Sequence, residues 1–132
     1  MKRKRILLVD DDEDLLRGLN FRLRANGYET TLAMDGYSAI NMAQKEKPDL
    51  IILDIGLPAG DGFIVMERLG KVPSLTLIPV IVLTARDSQI NKMRALKAGA
   101  MAFFQKPADN DQLLAAIQKT FRKSDKQMEE KL

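Results

Sequence analysis

Hydrophobic residues fall into two patterns along this chain. Four short runs are apolar at successive positions: Ile6-Leu7-Leu8-Val9, Leu50-Ile51-Ile52-Leu53, Val80-Ile81-Val82-Leu83 and the weaker Ala102-Phe103-Phe104. Each has strand length, and the lack of alternation is what a strand covered on both faces of a parallel sheet requires. A fifth stretch, Tyr28 to Ala33, carries Glu29, Thr30 and Thr31 and predicts a more polar edge strand. Between the runs, apolar positions recur at helical spacing. Leu15, Leu19 and Leu23, with Leu16 beside them, form a stripe closed by Asn26-Gly27, a helix stop. Helices are also predicted over 35–46 (Ala39, Ile40, Ala43), 61–69 (Phe63, Val65, Met66) and 88–98 (Ile90, Met93, Leu96). The last, over 109–121, opens with the capping pair Asp109 and Gln112 and sets Leu113, Leu114, Ile117 and Phe121 on one side.

The order is strand then helix, five times over. Short links between alternating elements imply right-handed crossovers and helices on both faces of a parallel sheet. Five units are too few for an eight-fold barrel, so the expected fold is α/β: a doubly wound five-stranded parallel sheet, (βα)5, flavodoxin-like, with strand order 2-1-3-4-5. That order puts strands two and five at the edges, and they are the least apolar or shortest runs. Residues 1–122 are expected to form one domain. Residues 123–132 are mostly charged and carry no apolar stripe, as in a frayed helix end, a linker or a tail.

Composition narrows the chemistry. With 132 residues there is room for one core, and 45% apolar with 30% charged residues is ordinary for a globular domain. The net charge of +3 stems from Lys2, Arg3, Lys4 and Arg5, a solvated lead-in to the first strand. No later segment interleaves basic and aromatic residues, so nucleic-acid binding by this chain itself is not expected. Without Cys there is no thiolate metal site or Cys nucleophile, and without His there is no Ser-His-Asp triad or His-ligated zinc. The four apolar residues after the basic start are too few for a signal peptide or a membrane span. The expected setting is the cytoplasm, with no membrane partner.

In open α/β sheets, ligands bind beyond the carboxyl ends of the strands, where strand order reverses. Here that crevice lies between strands one and three. Asp10-Asp11-Asp12 follow the first strand and Asp54 the third, while Thr84 ends the fourth and Lys106-Pro107 follows the fifth. Singly, such residues are usually caps or turn residues, and Asp12 or Glu13 is expected to cap the first helix. Together they are a constellation. Several carboxylates in one crevice repel one another, and a hard divalent cation with oxygen ligands, best Mg²⁺, relieves this. Lys106 offers a compact positive charge to Asp54 or to an anion attached to it. The residues by themselves fit either phosphoryl transfer to Asp54 or plain cation binding.

The same residues carry a family resemblance. Ile6 to Asp12, Asp54-Ile55-Gly56-Leu57-Pro58-Ala59-Gly60-Asp61-Gly62, Leu83-Thr84-Ala85, Gly99-Ala100 and Lys106-Pro107 stand in one order. In this the chain resembles the receiver domain of two-component response regulators over roughly 4–121. The resemblance implies that Asp54 is the phospho-acceptor, that Asp11 holds Mg²⁺ directly and Asp10 mainly through a metal-bound water. Asp54 itself and the backbone carbonyl of Gly56 would complete the ligands. It implies that Thr84 and Lys106 bond the phosphoryl oxygens, that Lys106-Pro107 is a cis peptide, and that Phe103 is the aromatic switch residue. Thr84 would move inward on phosphorylation, Phe103 would follow, and the face of helix 4, strand 5 and helix 5 would change.

Pro58 would stiffen the loop after Asp54, and Gly62 would relieve a crowded helix start. Gly56 and Arg86 occupy positions that influence phosphoryl lifetime, which here implies slow-to-moderate loss. The implied donor is a sensor histidine kinase or His-phosphotransfer protein. An output domain or docking target is implied without being identified, and a phosphorylation-dependent homodimer is allowed. The chain would catalyse only its own phosphotransfer and dephosphorylation.

Rival classes lack a needed part. A haloacid-dehalogenase-type phosphatase wants a second Asp where Gly56 stands, and an FMN binder wants a phosphate loop where the three Asp stand. A nucleotide-triphosphatase wants a Gly-rich loop ending in Lys-Ser/Thr. The non-enzymatic alternative is a degenerate receiver used as a phosphorylation-independent docking module.

Overall fold

Strands β1 (Arg5–Val9), β2 (Glu29–Ala33), β3 (Leu50–Leu53), β4 (Val80–Thr84) and β5 (Ala102–Gln105) pair in parallel in the order β2-β1-β3-β4-β5. They alternate with helices α1 (Glu13–Ala25), α2 (Gly36–Glu46), α3 (Gly62–Lys71), α4 (Gln89–Lys97) and α5 (Asn110–Glu130). The computed structural model describes residues 3–57, 62–85 and 89–130. The expected doubly wound, flavodoxin-like sheet is therefore the fold.

Successive strand side chains point to opposite faces, so each uninterrupted apolar run feeds two cores. Leu7, Val9, Ile51, Leu53 and Val82 meet α2 and α3 through Ala39, Ala43, Phe63 and Met66. Ile6, Leu8, Ile52, Ile81 and Leu83 meet α1 and α5 through Leu16, Leu19, Leu23, Leu113 and Ile117. Edge strand β2 is more polar because its Thr30 bonds outward: the hydroxyl donates to Asn20 and accepts from Arg24, both on α1.

Aspartates start three helices. Asp12 accepts from the amides of Asp14 and Leu15, Asp35 from that of Ser38, and Asp109 from that of Gln112, each satisfying an orphan donor of a first turn. Helix α1 stops where predicted, with Asn26 as cap and Gly27 at φ +90°, a conformation glycine adopts without penalty.

Two elements differ from expectation. The α4 stripe does not enter the core: Ile90 is 76% exposed and Met93 62%, and the buried residue of this helix is Ala95. The small methyl lets α4 come close to the sheet and leaves its larger apolar side chains outside. Helix α5 does not end near Phe121 but continues to Glu130. Most of residues 123–130 are good helix formers, and they extend an existing helix without a new nucleus, while Lys4 pairs with Asp125 at 2.9 Å. Among the described residues, no helix is long and apolar enough to cross a membrane.

Candidate functional site

Register builds the site. Val9 pairs with Leu53 across β1 and β3, so the next residues, Asp10 and Asp54, emerge side by side. The Asp54 amide donates to the Val9 carbonyl at 2.9 Å. Thr84 closes β4, and the Lys106 amide donates to its carbonyl at 2.8 Å, which carries Lys106 to the same rim. The Lys106–Pro107 peptide is cis.

The oxygens of Asp54 and Asp10 have defined neighbours. Asp54 Oδ1 accepts from the Gly56 amide and from the Thr84 hydroxyl, both at 2.8 Å. Asp54 Oδ2 faces the Lys106 ammonium at 3.3 Å. That ammonium also meets Asp10 Oδ2 at 2.7 Å, so Lys106 bridges two carboxylates and sits closer to Asp10. Asp10 Oδ1 accepts from the amide of Asp12 at 3.0 Å. Asp10 and Asp54 are buried and Asp11 is exposed, and one oxygen from each lies within 4.8 Å of the others.

Crowding acts on these groups. Burial, with a smaller push from the Asp54 charge, raises the Asp10 pKa above 3.8, although Lys106 and the Asp12 amide oppose it. Burial works against the Lys106 ammonium, but hydrogen bonding to Asp10 and the charges of Asp10 and Asp54 outweigh it, and its pKa lies above 10.5. Three carboxylates against one ammonium leave a surplus of negative charge and hard oxygen donors. That is the donor set Mg²⁺ takes.

Thr84 is fully buried and already bonded to Asp54. Phe103 pairs with Val82 and packs, partly buried, against the core shared by α2 and α3. Gly62 stands as tight as its position suggested: a Cβ there would lie 2.4 Å from Ile55 Cα. The amides of Gly56 and Asp12 were missed from sequence, since a backbone donor leaves no mark on residue identity. Pro58, Ala59, Gly60, Asp61 and Arg86 lie outside the described residues.

A doubly wound domain with an acid pocket, a hydroxyl and a lysine at its switch point has its polar groups where such folds bind ligands. Residues 6–118 match the model of the response regulator receiver domain, and the chain belongs to that family. It is 41% identical over 118 residues to Response regulator PleD of Caulobacter vibrioides, covering 89% of this chain and 26% of that protein. It is 36% identical over 122 residues to the alkaline phosphatase synthesis transcriptional regulatory protein PhoP of Bacillus subtilis, covering 92% of this chain and 50% of that one. The chain thus spans between a quarter and a half of these relatives. Among solved structures, a CheY-like receiver domain protein from Methanospirillum hungatei superposes with a TM-score of 0.89 at 30% identity, covering 96% of this chain and 99% of that one.

Proposed function

We propose that Asp54 accepts a phosphoryl group from a phosphohistidine donor in a Mg²⁺-dependent reaction, and that the phosphorylated state alters the surface formed by α4, β5 and α5. The observation that carries this is the asymmetry of Asp54. Its Oδ1 is held by two donors, Gly56 N–H and Thr84 O–H, while Oδ2 faces the Lys106 ammonium at 3.3 Å. Oδ2 is the freer nucleophile. It attacks phosphorus as the bond to the donor imidazole nitrogen breaks and the electron pair stays with that nitrogen.

Asp10, Asp11, Asp54 and the Gly56 carbonyl would hold the cation, which when bound neutralises charge on the transferring phosphoryl oxygens. Lys106 supplies a second positive charge, and Thr84 turns its hydroxyl from Asp54 to a phosphoryl oxygen. Phe103, packed beside β4, would register that change. Charge-assisted hydrogen bonds worth about 1.5–3 kcal/mol each supply the scale of a switch that needs ~5.5 kcal/mol for near-complete conversion.

The implied partners are a sensor histidine kinase or His-phosphotransfer protein upstream, and an output domain, docking target or second phosphorylated copy downstream, in the cytoplasm. The chemistry of the chain is confined to gaining and losing its own phosphoryl group.

Incubation with acetyl phosphate and Mg²⁺, followed by intact mass, should add about 80 Da, one phosphoryl, to the parent and nothing to Asp54→Ala. Equal labelling of both proteins, or labelling that persists with excess chelator, rejects the assignment.

A further inference from the structure

Helix α4 is lightly held. Ala95 is buried, and the apolar stripe beside it faces solvent. Among its contacts with described residues is a ring stack. The Arg94 guanidinium carbon lies 3.9 Å from the centroid of the Phe63 ring, a stack of a planar cation on an aromatic face. The last turn of α4 closes over the same place, with Ala98 N–H donating to the Arg94 carbonyl at 2.9 Å and Ala100 N–H to that of Ala95 at 3.0 Å.

Phe63 is buried in the first turn of α3, beside Gly62. Gly62 rests on the backbone that follows Asp54: its amide donates to the Ile55 carbonyl at 3.0 Å, and a Cβ would meet the Asp54 carbonyl oxygen at 2.6 Å. A run of direct contacts therefore leads from the Asp54–Ile55 peptide through Gly62 and Phe63 to Arg94. It does not pass through Thr84 or Phe103.

We propose that Arg94 and Phe63 are positioning residues, whose stack fixes α4 against α3 and passes to α4 a displacement of the backbone at Asp54. The fixing of α4 stands on packing alone, while the transmission rests on the phosphorylation proposed above. Close packing makes such a run effective, because a shift at Ile55 cannot be absorbed where Gly62 leaves no free space. Arginine suits the task in a way lysine does not, since the stack uses the flat guanidinium and not the charge alone.

Hydrogen exchange over residues 89–97 tests both parts, using the whole chain as parent, Arg94→Lys, Phe63→Leu and the double variant. In unliganded protein each single change should speed α4 exchange about two- to fivefold, the scale of a partly exposed cation–π contact, with α5 unaltered. The double variant should match Phe63→Leu, because both changes remove one interaction. Parent-like α4 exchange in Arg94→Lys, or effects that simply multiply, overturns the stack as the fixing contact. Acceleration of α5 by Phe63→Leu shows general loosening, and Arg94→Lys alone then decides.

With Mg²⁺ and beryllofluoride, whose fluorides stand in for phosphoryl oxygens, the change in α4 exchange seen in the parent should fall by roughly half or more in Arg94→Lys, with the response around Thr84 retained. An undiminished α4 response overturns the transmission. A parent with no response even at Asp54 overturns the phosphoryl reading and the transmission together, while the unliganded comparison still decides the stack.

Discussion

Asp10 gives up most of its water on folding and stands beside a second carboxylate, and burial above all raises its pKa in the folded protein. Because its folded pKa is raised above 3.8, its contribution to stability is complete below that pH and is lost as pH climbs through the folded value. In metal-free protein, Asp10→Asn should therefore be more stable than the parent at pH 7, read as a higher urea midpoint. The gain should vanish below pH 3.8, and an unchanged gap there assigns it to something other than charge. Thr31 shows the neutral counterpart. Its hydroxyl is buried without a hydrogen-bond partner, whereas neighbouring Thr30 bonds to α1. Thr31→Val should stabilise by about 0.5–1 kcal/mol in urea unfolding, because a desolvated, unpaired group is replaced by a methyl. At this scale the sequence was readable for where side chains such as Asp54 and Lys106 would gather, which the strand ends decide. It was silent on the Gly56 and Asp12 amides and on the closer pairing of Lys106 with Asp10, which depend on how the chain turns.

Helix α3 begins against the residue after Asp54, and glycine is what allows it. Gly62→Ala would drive a Cβ into backbone atoms of Ile55 and Asp54 that no rotamer change can move aside. A loss of about 2–3 kcal/mol in urea unfolding is expected, together with weakened phosphorylation, since the displaced backbone carries the proposed acceptor. A variant with parent-like stability contradicts that geometry. Elements were legible where burial was symmetric: β1, β3 and β4 each carry four successive apolar residues because both faces are covered. Helix α4 was misjudged for a physical reason. Periodicity reveals which side of a helix is apolar, but not what lies opposite, and here a methyl group makes the approach while Ile90 and Met93 are left outside. The continuation of α5 was hidden because an exposed helical segment needs no stripe when a buried one already precedes it.

On the scale of the whole molecule, the sheet gathers four strand ends at one pole, and the surplus negative charge there makes stability responsive to cations. Mg²⁺ at roughly ten times its dissociation constant should add about 1.4 kcal/mol and raise Tm by about 5 °C, reversed by chelator. Asp54→Ala should respond less, and a parent insensitive to Mg²⁺ would leave the acid pocket without its expected occupant. At the opposite pole, α5 runs beyond Phe121, its last buried residue, to Glu130. Nine residues of helix at 1.5 Å each make a lever arm of about 14 Å with its fulcrum at that aromatic ring. A tilt of only about 10° at the fulcrum would sweep the tip through more than roughly 2 Å, so small adjustments around Phe121 would be magnified in whatever the far end touches.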